Sequence, residues 1–248
     1  MTLLIALKGN DGMVLAADSR GTFGDPRGVT AQNDSIRKAF ILTKHVAVVQ
    51  AGSAELGATV LTQTQDAITG QAGIDGTGDV MNMLRQTACR CYDTWFASLP
   101  QTTILNPQTG VPIGRPDLTF IVGGYDKDQN GNFVRPSIYQ LNSALNFAPM
   151  IHDYGFAVAG VPTYALYLLN RLYEPNRKAE EELVPLAVYA ISETASQDGK
   201  VGGPIRVIIV SPPGSKELTD VEVNNIVKRN LTRTTALRNS FYEGRAVT

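Results

Sequence analysis

Residues 2–20 have the sequence TLLIALKGNDGMVLAADSR, and this stretch decides how the fold begins. An apolar run at residues 2–8 is followed by the turn-forming residues Gly9 to Gly12 and by a second apolar run, Met13–Ala17. Two apolar runs joined by a short turn rich in Gly, Asn and Asp predict a β-hairpin. The chain is therefore expected to begin with a pair of antiparallel strands.

The remaining apolar patterns follow two different periods, which separate further strands from helices. Short apolar or β-branched runs predict strands at 37–43, 45–50, 118–124, 133–141, 156–159 and 205–210. Apolar residues at helical spacing predict helices over about 53–68, 79–99, 163–172, 180–196 and 220–237, with Ser53 and Asp79 as the first two N-caps. Gly, Pro, Asp and Asn residues predict exposed loops at 21–34 and 100–116.

Strands occur in groups along the chain and helices occur in pairs. This order predicts a layered α/β sandwich rather than strict alternation of strand and helix. The 248 residues, of which 43% are apolar, are enough to bury one sizeable core. We therefore expect a single domain over 1–248, with residues 219–248 forming a C-terminal helical extension.

The composition argues against several classes of function. A formal net charge of -1 without a basic block offers no electrostatic footprint for nucleic acid. No stretch approaches the ~20 apolar residues of a membrane span, and the N-terminus does not resemble a signal peptide. Cys89 and Cys91 would point apart on a helix, and free thiols fit a reducing cytosol. With only His45 and His152, no metal site is expected, so we predict a cytoplasmic protein without cofactors.

Thr2 stands where removal of the initiator Met1 would leave it at the N-terminus. A hydroxyl is a weak nucleophile until a base takes its proton. The α-amine of an N-terminal threonine can serve as that base, since its pKa is about 7.7–8.0. Small second residues such as Thr are those after which the initiator Met is usually removed. The chemistry of an N-terminal nucleophile is therefore open to this chain.

Four motifs that follow Thr2 carry a resemblance to a known family. They are Asp11-Gly12-Met13-Val14-Leu15-Ala16-Ala17-Asp18-Ser19-Arg20, Arg37-Lys38-Ala39-Phe40, Ala51-Gly52 and Asp198-Gly199-Lys200-Val201-Gly202-Gly203. In this order and at this spacing, they resemble the β-type subunits of the proteasome. The bare Met-Thr start, with no propeptide, is similar to bacterial homologues of that family. The absence of an N-terminal helical extension favours the β type over the α type.

The resemblance implies a catalytic role for several residues. Thr2 would attack a peptide carbonyl, with its own amine as general base. Lys38 would lie beside the hydroxyl and favour the alkoxide, and Asp18 would keep Lys38 charged and correctly aimed. Arg20 would support the Asp18 loop. The backbone N–H of Gly52, before a helix, would donate to the oxyanion.

The resemblance also implies an amine-binding residue and a substrate pocket. Asp198 would orient the Thr2 amine. The family has serines at two neighbouring places, where this chain has Val161 and Val201, and a valine cannot donate a hydrogen bond to the amine. The pocket for the residue before the cleaved bond would be lined by Gln50, Ala54 and Ala58.

The fold and assembly implied by the resemblance are a four-layer αββα sandwich of the N-terminal-nucleophile hydrolase type and homo-oligomeric stacked rings. The function implied is that of a threonine endopeptidase acting on peptides or unfolded proteins, with an ATP-dependent unfoldase as a possible partner. Two other functions remain open on the same fold. One is a catalytically weak or inactive ring or scaffold subunit, and the other is an amidase that acts on small molecules.

Overall fold

The computed structural model describes residues 2–25, 28–101, 103–105, 107–108 and 112–243. The strands of this part are β1 (Leu3–Lys8), β2 (Met13–Ala17), β3 (Gly21–Asp25), β4 (Gly28–Asn33), β5 (Ala39–Thr43), β6 (Val46–Gly52), β7 (Ile104–Leu105), β8 (Pro112–Ile113), β9 (Leu118–Lys127), β10 (Phe133–Asn142), β11 (Met150–Ile151), β12 (Phe156–Gly160), β13 (Arg206–Ser211) and β14 (Gly214–Glu217). Its α-helices are α1 (Ala54–Thr69), α2 (Thr77–Trp95), α3 (Thr163–Leu172), α4 (Val184–Gln197) and α5 (Asp220–Glu243).

Two five-stranded antiparallel sheets form the centre of the fold. The first has the strand order β12-β1-β2-β13-β14, and the second has the order β11-β10-β9-β6-β5. The predicted N-terminal hairpin is confirmed, because β1 pairs with β2 and Leu4 lies opposite Ala17. The predicted hairpin in the middle of the chain is confirmed as β9 and β10.

The strands of the first sheet are buried on both faces. Along β1, Leu3, Ile5 and Leu7 pack with residues of α3, α4 and α5. Leu4 and Ala6 point the other way and pack with residues of the second sheet. Since complete burial of a Leu or Ile side chain contributes about 1.5–3 kcal/mol, a slip in register by one residue would be costly. The predicted burial of the last long strand on both faces is confirmed for β13 in the same way.

The second sheet is also covered on both sides. Val46 and Val48 of β6 pack with apolar residues of α1 and α2, whereas Ala47 and Val49 face the first sheet. This arrangement brings the start of β1, the end of β2, the start of β5 and the end of β6 to one end of the stacked sheets. The residues predicted to be functional flank these strand ends.

The prediction of a loop at 21–34 is wrong. Most of that segment forms the two-stranded hairpin β3–β4, in which Thr22 lies opposite Gln32. This hairpin stands apart from the two large sheets, so it needs no alternation of core-facing apolar residues. Its composition therefore resembled that of a loop.

The start of α2 also differs from the prediction. Gly76 occupies the N-cap position, and Asp79 lies in the first turn. The carboxylate of Asp126, which lies in β9, accepts a hydrogen bond from the N–H of Gly78 at 2.8 Å. A cap supplied from a distant strand leaves no local signal in the sequence. The helix ends at Trp95 rather than near Leu99.

The last two helices are longer or less regular than the sequence indicates. A π-helical turn over Ala179–Leu183 precedes α4, next to Pro185, which lacks an N–H donor. Helix α5 runs to Glu243, beyond the predicted end at Leu237. No helix in the described ranges has the length and the apolar character that crossing a membrane requires.

Candidate active site

Thr2 is buried directly before β1, and the neighbouring strand fixes its backbone. The N–H of Val161 donates a hydrogen bond of 2.8 Å to the carbonyl oxygen of Thr2. Gly160 has a φ of 91°, and a Cβ at that position would overlap the same carbonyl oxygen. Only glycine suits both constraints. Gly160 was not singled out from the sequence, although it stands in the segment Ala159-Gly160-Val161.

Asp18 and Lys38 form a buried ion pair beside the N-terminal strand. The ammonium nitrogen of Lys38 lies 2.9 Å from Oδ1 of Asp18, and the two side chains are 5% and 0% exposed. Lys38 also donates to the carbonyl oxygen of Arg20 at 2.6 Å. The N–H of Leu3 donates to the same Oδ1 of Asp18 at 3.0 Å. One carboxylate oxygen therefore ties Lys38 to the residue that follows Thr2.

The second oxygen of Asp18 is held by backbone donors. Its Oδ2 accepts hydrogen bonds from the N–H of Arg20 at 3.2 Å and from the N–H of Gly202 at 3.0 Å. Asp18 is thereby fixed from the β2 end and from the segment that follows α4.

Burial governs the protonation of Lys38. It lowers the pKa of the Lys38 ammonium below the ordinary value of 10.5, and the charge of Asp18 opposes that shift. The cation therefore gives up its proton more readily than a lysine on the surface. A buried lysine with a lowered pKa beside a charge partner is typical of a functional site.

Arg20 supports this arrangement through its side chain. The guanidinium makes a two-pronged contact with Asp34, at 2.7 and 2.9 Å, and donates to the carbonyl oxygen of Gly199 at 3.0 Å. Gly199 belongs to the segment whose Gly202 N–H reaches Asp18. Sequence analysis missed Asp34, because the segment that it ends was predicted to be a loop.

Gly52 ends β6 in a conformation that suits glycine. Its φ is 102°, and a Cβ there would overlap the carbonyl oxygen of Asp117. Ser53 occupies the N-cap position of α1, but its side chain makes no capping hydrogen bond. The N–H of Ser53 donates a hydrogen bond of 3.0 Å to the carbonyl oxygen of Asp117. The first turn of α1 therefore begins without a side-chain cap.

A cavity of about 180 Å³ brings several of the predicted residues together. It is lined by Thr2, Gly21, Thr22, Phe23, Ile36, Lys38, Gly52, Ser53, Ala54 and Glu55. The described residues make no hydrogen bond to the Thr2 hydroxyl. Larger cavities of about 340 and 510 Å³ do not include Thr2, and the second of them shares Ile36 with this cavity. The start of α1 thus faces the same space as Thr2 and Lys38.

Two of the three residues predicted for the substrate pocket lie outside the lining of this cavity. Gln50 is buried, with its amide packed against Gly57 and its Nε2 3.5 Å from the carbonyl oxygen of Ala54. Ala58 is exposed on α1. Only Ala54 lines the cavity.

Asp198 and Val201 belong to the segment after α4, whereas Val161 directly follows β12. The carboxylate of Asp198 accepts a hydrogen bond from the N–H of Lys200 at 2.9 Å. Val201 is fully buried in the core beneath β1, and Val161 packs against that core. No hydroxyl group stands at either valine position, as the sequence already showed.

The two stacked sheets with helices on their outer faces give a fold similar to that of solved Anbu structures. The Anbu complex from Pseudomonas aeruginosa, described as a helical assembly, has 18% sequence identity and a TM-score of 0.73, over 99% of this chain and 98% of that one. Anbu from Hyphomicrobium sp. strain MC1 has 17% identity and a TM-score of 0.69, over 99% of each chain.

Sequence comparison shows a similarity to subunits of the proteasome. The sequence model described as Proteasome subunit matches residues 2–69. Proteasome subunit beta 1 of Thermococcus sibiricus is 24% identical over 238 residues, which cover 92% of this chain and 95% of that protein. Proteasome subunit beta type-6 of Arabidopsis thaliana is 28% identical over 218 residues, which cover 86% and 78%. The chain is therefore similar to β-type subunits of the proteasome over most of its length, and the family model matches its first part.

Proposed function

We propose that this protein is a threonine peptidase in which Thr2 is the nucleophile once Met1 has been removed. One observation carries the proposal. Thr2 and Lys38 line the same cavity, and Lys38 is ion-paired at 2.9 Å with an Asp18 that also binds the backbone of Leu3. The proposed nucleophile Thr2 and the cation Lys38 thus share one cavity, and Asp18 contacts both Lys38 and the strand that follows Thr2.

The reaction begins when the Thr2 hydroxyl oxygen attacks the carbonyl carbon of a peptide bond. Its proton passes to the free α-amine of Thr2, while Lys38 stabilises the negative charge that develops on the oxygen. The tetrahedral intermediate collapses as the C–N bond breaks, and the leaving amine takes the proton from the Thr2 ammonium. Water then attacks the resulting ester, with the α-amine again as base, and releases the acid product and free Thr2.

The start of α1 is the proposed site for the oxyanion. Gly52 and the first turn of α1 line the cavity with Thr2, and this turn has no side-chain cap. The N-terminus of a helix favours negative charge, and preorganised N–H donors stabilise a tetrahedral oxyanion. Because the N–H of Ser53 already donates to Asp117, the N–H of Gly52 remains the proposed donor.

The amine of Thr2 is proposed to be oriented by Asp198, without help from serine hydroxyls. Val161 and Val201 stand where those hydroxyls would be, and Val201 is fully buried among apolar residues. An amine that is held less firmly would make proton transfer slower. This pair of valines also favours the second candidate, a weak or inactive scaffold subunit of the same fold.

We further propose that residues 1–248 form one four-layer αββα domain that assembles with copies of itself. Three apolar clusters support the four layers. One lies between α3–α5 and the first sheet, one between the two sheets, and one between the second sheet and α1–α2. Stacked rings are the proposed assembly, with the helical extension 219–248 at contacts between copies, and unfolded protein as substrate. An ATP-dependent unfoldase, a cytoplasmic location and a bacterial origin belong to the same proposal.

Peptide hydrolysis by matched Thr2 variants tests this function. Thr2→Ala permits the same Met1 removal and leaves the same free amine, but it lacks the hydroxyl. A quenched fluorescent peptide library should be cleaved by the wild type and not by Thr2→Ala. Hydrolysis of small amides without peptide cleavage would favour the amidase, and no turnover of either substrate by Met1-free protein would favour the scaffold.

A further inference from the structure

The cavity beside Thr2 contains a carboxylate that the proposed reaction does not use. Among the described residues, its lining includes two residues with ionisable side chains, Lys38 and Glu55. The charge of Lys38 is matched by Asp18 at 2.9 Å. Glu55 is exposed to solvent in the first turn of α1, and it forms no ion pair and no side-chain hydrogen bond with any described residue. The cavity therefore carries one unmatched negative charge.

Glu55 also stabilises helix α1, since a carboxylate in the first turn interacts favourably with the N-terminal end of a helix. That effect is the same for any acidic side chain in the turn and does not depend on the cavity. Asp79 stands in the equivalent turn of α2 and does not line the cavity. A comparison of Glu55 with Asp79 therefore distinguishes stabilisation of a helix from an interaction with a ligand in the cavity.

The other walls of the cavity fit a flexible chain that ends in a cation. Phe23 and Ile36 supply apolar surface, and Thr22 and Ser53 supply hydroxyl groups. The volume of about 180 Å³ suits one side chain rather than a large ring system. A long aliphatic stem can lie along apolar walls while its charged end stays near solvent, where Glu55 is exposed.

We propose that Glu55 is a specificity-determining residue that selects substrates with a positive charge next to the carbonyl that Thr2 attacks. The class of substrate is a peptide or amide with a lysine or arginine side chain, or another alkyl ammonium, at that position. This inference rests on the proposed function of Thr2. The carboxylate of Glu55 attracts the cation at the rim of the cavity, while the aliphatic stem packs on Phe23 and Ile36.

A pair of reporters that differ only in charge tests the proposal. Acyl-lysine-aminocoumarin carries an ammonium at the end of a four-carbon stem, and acyl-norleucine-aminocoumarin has the same stem without it. The wild type should show the higher kcat/KM on the lysine reporter. Glu55→Gln should lower the lysine-to-norleucine ratio about fivefold, which is the upper range for a solvent-exposed ion pair. Added salt should lower the wild-type ratio in the same direction.

The control variant is Asp79→Asn, which removes a first-turn carboxylate from a helix that does not face Thr2. It should leave the lysine-to-norleucine ratio unchanged. Equal ratios for the wild type and Glu55→Gln, with Thr2-dependent cleavage of both reporters, would overturn the role of Glu55 and leave the proposed function standing. If neither these reporters nor the peptide library is cleaved in a Thr2-dependent way, both proposals fall together.

Discussion

The ammonium of Lys38 lies 2.9 Å from Oδ1 of Asp18, and both groups are buried at the end of the stacked sheets. The same oxygen accepts the N–H of Leu3 at 3.0 Å. Asp18 therefore sets two things at once, the position of the cation and the position of the strand that carries Thr2. Its other oxygen binds Gly202, so the pair also depends on the segment after α4.

Loss of Lys38 should be costly to the fold. Lys38→Met would leave the buried carboxylate of Asp18 without its cation, and we expect a loss of about 3 kcal/mol in the free energy of unfolding. The double variant Lys38→Met with Asp18→Asn should recover a large part of that loss. Urea unfolding followed by circular dichroism measures both effects.

The control for this prediction is Lys216→Met. Lys216 is exposed and contacts Glu222 at 3.1 Å, so its loss should cost less than about 1 kcal/mol. Equal costs for Lys38→Met and Lys216→Met would contradict the buried pair as the organising contact of the site.

Gly160 should matter more than Gly131, although both glycines have a positive φ. Gly160→Ala would place a Cβ on the carbonyl oxygen of Thr2 and should displace the N-terminus. Gly131→Ala is the matched control, because Gly131 has a φ of 83° but no atom near the position of the new Cβ. We expect Gly131→Ala to cost about 1–2 kcal/mol from backbone strain alone. Gly160→Ala should cost more and should also lower turnover.

The comparison of turnover decides whether Gly160 acts on the site or only on stability. Peptide cleavage should be measured at a temperature at which both glycine variants are folded. Full turnover by Gly160→Ala under those conditions would show that the contact with Thr2 does not control its position.

Arg20 should affect the chemistry without touching substrate. Arg20→Lys keeps the charge but loses the two-pronged contact with Asp34 and the bond to Gly199. We expect kcat/KM to fall on the order of tenfold, since small displacements of a catalytic group are costly in rate. Arg177→Lys is the control, because Arg177 is an exposed arginine that contacts Glu174 and Glu182. A similar kcat/KM for both variants would contradict the supporting role of Arg20.

The start of α5 should respond to acid. Hydrogen bonds from the backbone and side chain of Thr219, together with Lys216, lower the pKa of Glu222 to about 2 from its ordinary value of 4.5. Because the folded pKa is the lower one, the contribution of Glu222 is present above pH 4.5 and is lost as the pH falls through about 2.

Glu222→Gln should therefore have a flatter dependence of unfolding free energy on pH between 4.5 and 2 than the wild type. Urea unfolding at a series of pH values measures that slope. Glu193→Gln changes a carboxylate for which no ion pair is seen among the described residues, and it should leave the slope unchanged. Parallel curves for the wild type and Glu222→Gln would refute the role of Glu222 at this helix start.

Local patterns were enough to predict most strands and helices. The hairpin formed by Leu3–Lys8 and Met13–Ala17 follows from its apolar runs and turn residues, and the burial of β13 on both faces follows from its β-branched run. The hairpin β3–β4 was missed because it stands apart from the two large sheets and shows no core-facing alternation. The start of α2 was misplaced because its cap comes from Asp126, 48 residues away.

The candidate site was partly predictable for a similar reason. Thr2, Lys38, Gly52 and Ala54 were singled out from motifs, and the structure brings them to one cavity. Asp34 carries no motif and acquires its position only from the packing of hairpin and loop. The predicted helix start already puts Glu55 in the first turn of α1, but its place in the cavity depends on packing. The role of such residues can be identified from the tertiary structure but not from their spacing along the chain.

In the proposed mechanism, the hydroxyl and the free α-amine of Thr2 act together as nucleophile and base. A peptide α′,β′-epoxyketone tests it most directly, because formation of its stable adduct needs both groups on the same residue. Intact mass spectrometry should first establish that Met1 has been removed. One probe should then add to each wild-type chain at Thr2, and none should add to Thr2→Ala. Folded, Met1-free wild-type protein that gains no probe mass would contradict this mechanism.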